Sequence, residues 1–414
     1  MGWKKGALFI YFLVLLMIVV SGLSQPAASG DSEFTTYLTV RVIQKNQFVR
    51  NLGASDFEII EDGQTRKIES IYLVENKKVT PIHEETPLSP DLNRNYFIIV
   101  QASDYDKKLG EAVNLLVHNY FQPGDSLTLI TPVKIYRFNP ETLRAKTPAE
   151  VSRELQNIMR TDILNGNREY NSVLRDLKRI TRLLATYGGE TLGADPDVEN
   201  ESDAISSSFG IEYILARYYE SLIKLDGLRL ADQEKFKSFA DSLKRTSGEK
   251  AVIFFYQRDF RPELTPRALN QMMSMYQDYP NIIQMLMDLF QFYNRKPSLD
   301  KNALSQVLSD SGAVFNFVYL DRKPPRISGV VMNEQSEDIY EALNEAARAT
   351  GGITDNTFNP VEGLRKSAEN LSTYYLIAYR SDQLFRGSRF RKIQVKIKTG
   401  GEFQIRHRAG YFIN

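Results

Sequence analysis

Hydrophobic and polar positions alternate with a period of two at both ends of the chain. Leu38, Val40 and Val42 alternate mostly with polar neighbours, as do Ile393, Val395 and Ile397 near the other end. This period is typical of a strand with one buried face. Because neither set of strands can bury its apolar face alone, we expect the two ends to form one β-sandwich together.

The middle of the chain has a different pattern. A continuous apolar run over 96–100 is expected of a strand buried on both faces. We interpret residues 126–130, 133–138, 251–255 and 313–320 as further buried strands. Segments with helical periodicity separate these strands, roughly over 148–160, 168–187, 209–226, 231–245, 265–293 and 336–350. Strands that alternate with helices predict a doubly wound, mostly parallel sheet covered on both faces. The predicted fold class is therefore α/β, with this sheet inserted in the sandwich.

These patterns predict a domain organisation. Residues 31–80 supply N-terminal strands, residues 81–94 are rich in proline and polar groups and form a linker, and residues 371–414 supply C-terminal strands. Between them, residues 95–370 form the α/β domain with helical insertions.

Residues 1–30 have the layout of a secretory signal peptide. Lys4 and Lys5 precede an apolar run over 7–20, and small residues follow. The run is shorter than the roughly 20 residues that span a bilayer. An uncleaved N-terminal anchor is the alternative interpretation. Either way, we expect an exported protein that is periplasmic, envelope-associated or secreted.

Composition narrows the possible chemistry. The chain has 52 basic and 51 acidic residues, which gives no general attraction to nucleic acid. Without cysteine, thiol catalysis and cysteine–zinc sites are excluded. The sequence has three histidines and contains no Walker loop and no nucleophile elbow. These features argue against metallohydrolases and Ser-His-Asp hydrolases.

Several motifs stand in order along the chain: DFEIIEDG over 56–63, GDSLTLIT over 124–131, ATGG over 349–352, YYLIAY over 374–379, FRKIQVK over 390–396 and RAGYF over 408–412. Together and in this order, they resemble the motifs of the bacterial VWFA-related family of exported proteins. The resemblance implies a von Willebrand factor A-like domain flanked by β structure. It also implies a metal-ion-dependent adhesion site, in which an Asp-x-Ser-x-Ser loop holds Mg²⁺ for a partner's carboxylate.

In this sequence the implied adhesion site is degenerate. Gln101 stands at the aspartate position, Ser103 is kept, and Tyr105 replaces the last serine. A later aspartate of the family falls on Gln257. Because Mg²⁺ needs charged oxygen ligands, we expect no metal and no cofactor here. These positions are the predicted partner-binding residues: Gln101, Ser103, Tyr105 and Gln257.

Three other features leave alternatives open. Asp104, Asp106 and Asp259 could form a shifted metal site. Acidic residues at every second position over 195–203 suggest either a solvated insertion or a calcium loop. In the methionine- and aromatic-rich segment 271–293, one apolar helical face is formed by Ile282, Ile283, Leu286, Met287 and Phe290. This segment is either core or a helix that binds a partner.

The sequence therefore predicts an exported, non-catalytic interaction or adhesion-type module that works without metal. Its expected partner is another protein or envelope macromolecule. The alternatives are a carboxylate-based hydrolase of envelope glycans or peptides, and a structural envelope component.

Overall fold

The computed structural model describes residues 34–84, 90–189, 208–228, 232–294, 299–381 and 389–413. The predicted signal segment 1–30 and the acidic segment 195–203 lie outside these residues. Within the described ranges, no helix is long and apolar enough to cross a membrane.

Helices cover the segments that have helical periodicity, with 265–293 divided into two helices, and several helices begin with a side-chain cap. Asp106 accepts a hydrogen bond from the amide of Lys108, and Thr147 and Glu150 form a capping box. The helices are α1 Lys107–Asn119, α2 Pro140–Arg144, α3 Pro148–Gly166, α4 Arg168–Tyr187, α5 Ser208–Gly227, α6 Gln233–Lys244, α7 Pro266–Met275, α8 Pro280–Tyr293, α9 Lys301–Asp310, α10 Glu337–Ala349 and α11 Pro360–Ser372.

Within the described ranges, the strands form four sheets. They are β1 Phe34–Gln44, β2 Gln47–Phe48, β3 Phe57–Glu61, β4 Gln64–Arg66, β5 Ile68–Glu75, β6 Lys78–Glu84, β7 Arg94–Gln101, β8 Ser126–Ile130, β9 Ile135–Phe138, β10 Glu249–Gln257, β11 Phe260–Leu264, β12 Val314–Leu320, β13 Val330–Glu334, β14 Thr354–Thr357, β15 Thr373–Ser381, β16 Arg389–Ile397, β17 Gln404–Arg406 and β18 Gly410–Ile413. Strand β6 covers the first part of the segment expected to be a linker.

One six-stranded sheet has the order β14-β12-β10-β7-β8-β9. Its pairings are parallel except for β8 with β9. The buried strand β10 packs Ile253 and Phe255 into one apolar core and Val252 and Phe254 into another. This explains the continuous apolar run, because both faces of the strand are covered.

Strands from the two ends of the chain pair with one another. Residues 34–40 of β1 pair with β15, and residues 41–43 pair with β17. Strand β3 pairs with β16. The side chains of these strands share one apolar core that includes Val40, Ile59, Ile377 and Ile393.

The predicted fold class is wrong. The chain is a mixed α/β structure with mostly antiparallel sheets, a curled antiparallel half-barrel and one mixed sheet, and not a doubly wound parallel sheet inside a sandwich. The physical reason is that an apolar pattern predicts a strand but not its partner or direction. The short connection 131–134 permits only antiparallel pairing of β8 with β9. The division of β1 between β15 and β17 lets the terminal sheet curl.

Candidate functional site

The predicted site residues lie in and beside loops that follow neighbouring parallel strands. Gln101 ends β7, Gln257 ends β10, and Gln101 pairs in register with Tyr256. Because β7, β10 and β12 run in the same direction, the loops after them meet at one edge of the sheet. These loops are residues 102–106, 258–259 and the segment that begins at Asp321.

The side-chain carbonyl of Gln257 holds the first loop in place. Its Oε1 atom accepts hydrogen bonds from the amide and the hydroxyl of Ser103, both at 3.0 Å, and from the amide of Asp104 at 3.2 Å. Ser103 is buried. A buried donor without an acceptor costs roughly 1–3 kcal/mol, so this contact stabilises the loop.

Two asparagine side chains hold the same loop from the helical side. Nδ2 of Asn167 donates to the carbonyl oxygen of Ala102 at 2.8 Å, and Nδ2 of Asn171 donates to that of Ser103 at 3.0 Å. Asn167 lies where α3 meets α4, and Asn171 lies in the first turn of α4. The loop therefore has hydrogen-bonded support on both sides.

Arg322 links two carboxylates at this edge. Its guanidinium donates to Asp104 Oδ2 at 3.0 Å and to Asp259 Oδ1 at 3.1 Å. The hydroxyl of Ser103 also lies 3.3 Å from Asp259 Oδ1. Three loops thus meet in one polar network around Ser103.

A cleft of about 430 Å³ opens beside this network. Four cationic side chains line the cleft: Arg175, Lys178, Arg322 and Lys323. Asp104 supplies one carboxylate, and the remaining lining residues are Asn171, Leu174, Phe260, Pro325 and Met332. Burial lowers the pKa of Lys178, and the positive charge of Arg322 lowers it further against the opposing effect of Asp104.

Gln101 and Tyr105 lie apart from this network. Gln101 borders a second, mostly apolar cleft of about 310 Å³ with Ile135, Phe239 and Tyr256. Tyr105 packs against the core of the mixed sheet, and burial raises the pKa of its phenol. Among the described residues, no side-chain hydrogen bond joins Gln101 or Tyr105 to Ser103 or Gln257.

The acids of the possible shifted metal site are already engaged. Asp104 and Asp259 bind Arg322, and Asp106 caps α1. Over the residues that the structure describes, no group of three or more His, Asp or Glu side chains could hold a metal ion.

Two other features of the sequence, one of the histidines and the segment 271–293, lie mainly on helices. His118 is exposed on α1, and its Nδ1 lies 2.9 Å from the carbonyl oxygen of Asn114. Within 271–293, the buried face consists of Met272, Ile282, Leu286 and Leu289. Met287 and Phe290, which the periodicity assigned to the apolar face of α8, are instead exposed.

Sequence reasoning missed Arg322, Arg175, Lys178 and Lys323. The spacing of Arg175 and Lys178 by three residues was a usable signal, because it places both on one face of a helix. Their meeting with the loop after β12 depends on tertiary structure and had no local signal.

Comparisons of the chain with protein-family models, curated proteins and solved structures give no match.

Proposed function

We propose that this chain is an exported, non-catalytic module that binds another protein or envelope macromolecule without a resident metal. The contact surface is the edge of the mixed sheet around Ser103 and Gln257. We propose a relationship to the VWFA-related family from the shared sequence motifs alone. The predicted fold is not part of this proposal.

The observation that supports the proposal is the hydrogen-bonded arrangement of the loop at 102–104. Gln257, Asn167 and Asn171 fix it, and a lined cleft opens directly beside it. A preorganised polar surface next to a concave space loses little conformational entropy on binding a partner.

The contacts of the buried carboxylates favour a binding function over a hydrolase activity. A carboxylate-based hydrolase needs two acids that face a shared space for substrate. Each buried carboxylate in the described ranges instead contacts a cation or a hydroxyl: Glu61 with Arg391, Glu69 with Arg380, Asp125 with Lys77, Asp162 with Thr131, Asp259 with Arg322, Glu263 with Arg261 and Asp355 with Lys366.

Site-specific photo-crosslinking in cells of the native host tests the binding surface. A photoreactive residue at Ser172, which is exposed on α4 next to Asn171, should yield a discrete crosslinked product. The matched control is Ser238, an exposed serine on α6. Equal products from both positions, or none from Ser172, would contradict the proposal.

Two further measurements address export and metal. Fractionation of cells that express the full chain should find it outside the cytoplasm, and a cytoplasmic, uncleaved chain would overturn export. Calorimetric titration with Mg²⁺, Mn²⁺ and Ca²⁺ should show no binding at millimolar metal. A one-site isotherm that disappears in Ser103→Ala would refute the metal-free part of the proposal.

A further inference from the structure

Four cationic side chains meet at the cleft beside Ser103. Arg175 and Lys178 come from one face of α4, and Arg322 and Lys323 come from the loop after β12. Asp104 is the single carboxylate among the described residues that line the cleft. The local charge is strongly positive although the whole chain is nearly neutral, with a net charge of +1. Cationic side chains at close range repel one another unless a bound anion offsets their charge.

The donors of this cleft are largely unused. The side chains of Arg175, Lys178 and Lys323 make no ion pair or hydrogen bond with another residue in the described part of the chain. Nε of Arg322 is buried without a hydrogen-bond partner. A buried donor without an acceptor costs free energy. Arg175 and Lys323 are exposed, so their donors are open to an anion in the cleft.

The one carboxylate present does not close the cleft to a ligand. The side chain of Asp104 is 68% exposed where it meets Arg322. Exposed ion pairs contribute little to stability, so a ligand can compete for the guanidinium. Asp259, only 11% exposed, keeps the other side of Arg322 in place.

The cleft also has apolar walls. Leu174, Phe260, Pro325 and Met332 line it together with the cations. Leu174 and Phe260 belong to the buried core, so their positions are fixed by packing. The apolar surface open to a ligand therefore comes from Pro325 and Met332, which are exposed and half-buried. A sulfated or phosphorylated glycan would leave these two side chains against water. A peptide that carries an apolar side chain beside a carboxylate would cover them and neutralise the cations together.

We propose that this cleft binds an acidic peptide segment of a partner protein, with Arg175, Lys178, Arg322 and Lys323 around its carboxylates and the apolar walls against a neighbouring aliphatic or aromatic side chain. This inference rests on the proposed binding function and names the chemistry of the partner.

The experiment uses an array of labelled peptides in which aspartate or glutamate stands next to each aliphatic and aromatic residue. Binding to the full exported chain is measured by fluorescence anisotropy at low and high salt. The double variant Arg175→Met/Lys178→Met should bind the selected peptides at least about tenfold more weakly, because two charge-assisted contacts are lost. Neither residue has a partner in the described part of the chain, so folding should be unaffected. The matched control, Lys237→Met, removes an exposed lysine of α6 and should bind like the unaltered chain.

Asparagine or glutamine forms of the same peptides should lose binding, and replacement of the apolar residue by serine should weaken it. Array peptides that fail to bind, or that bind the double variant equally well, would overturn the inference. Tighter binding of a heparin oligosaccharide or of inorganic phosphate, competing at Arg175 and Lys178, would also overturn it, in favour of a general polyanion site.

The two proposals fail separately. A crosslinked partner at Ser172 without peptide binding would leave the binding function standing and remove the acidic ligand. Peptide binding without any crosslinked partner would leave the chemistry of the cleft standing and remove the envelope-binding function.

Discussion

Glu61 and Arg391, which are 330 residues apart in the chain, form an ion pair of 3.1 Å in the interior of the terminal strands. The side chain of Glu61 is fully buried. Its oxygens also accept hydrogen bonds from Tyr379 at 3.1 Å, Ser381 at 2.6 Å and Tyr411 at 2.6 Å. One carboxylate on β3 therefore joins β15, β16 and β18, so the two ends of the chain depend on each other.

Arg391→Met should destabilise the protein strongly. The substitution leaves the buried Glu61 with Arg66, 3.2 Å away, as its remaining cationic partner. We therefore expect a loss of about 3 kcal/mol, at the lower end of the cost of breaking a buried pair. Urea denaturation measures the change in the free energy of unfolding. The double variant Glu61→Leu/Arg391→Met should lose less than the sum of the single variants, because the two side chains contact each other and either single variant breaks the same ion pair. A loss below about 1 kcal/mol in Arg391→Met would contradict this account.

Removal of residues 385–414 should loosen strands at the opposite end of the chain. The deletion takes away β16, which pairs with β3, and β17, which pairs with part of β1. Hydrogen exchange should therefore accelerate in Phe57–Glu61 and in Phe34–Gln44. The amides of α4, which packs in a different core, serve as the internal control. Unchanged protection of residues 35–75 would show that the strands do not depend on one another.

Gly352→Ala should destabilise the chain through a backbone clash. A Cβ at this position would lie 1.9 Å from the carbonyl oxygen of Phe315 in β12, so the two backbone segments would have to move apart. We expect a loss of at least about 2 kcal/mol, in the range of overpacked cores. Gly400→Ala is the control, since nothing lies within 4 Å of its added Cβ. Equal thermal midpoints for the two variants would contradict the prediction.

The sequence predicted individual elements better than their assembly. The expected helix over 168–187 has the same bounds in the structure, and the apolar run at 251–255 lies in β10. Both are local patterns. The pairing of β1 with two strands depends on contacts more than 300 residues away, which no local pattern encodes.

The same limit applies to the candidate site. The expectation that residues after β7 and β10 lie together led to Ser103 and Gln257, which are hydrogen-bonded. Arg322 was missed, because its position between Asp104 and Asp259 depends on the loop after β12. In α8 the spacing of apolar residues fits more than one helical face. The helix packs against α5, and Leu289 is buried while Phe290 is exposed.

Gln257→Leu should weaken the loop at 102–104. The substitution removes the acceptor for the amide and hydroxyl of Ser103 and for the amide of Asp104, which should cost about 1–3 kcal/mol. Gln257→Glu keeps an acceptor and should cost less. Gln394→Leu, on the exposed face of β16, controls for the change in side-chain type. Thermal denaturation measures all three, and a Gln257→Leu variant as stable as the Gln394→Leu control would refute the role given to Gln257.

Stability should fall as the pH is lowered below about 6.5, partly because of His407. Burial lowers the pKa of this imidazole from its ordinary value of 6.5, and the nearby charge of Arg408 lowers it further. The unfolded chain therefore binds a proton at a higher pH than the folded chain does. In this window unfolding takes up a proton, so the free energy of unfolding decreases as pH falls from about 6.5 to the lower folded pKa.

Urea denaturation at pH 7.5 and pH 5 isolates this contribution. His407→Gln cannot titrate, so it should lose less stability than the unaltered chain between the two pH values. The difference amounts to about 1.4 kcal/mol for each unit by which the folded pKa, or pH 5 where that is higher, lies below the unfolded pKa. His118→Gln, which replaces an exposed histidine on α1, is the matched control for the change in side-chain type. An unchanged pH dependence in His407→Gln would mean that protonated His407 is accommodated in the folded chain as readily as in the unfolded one.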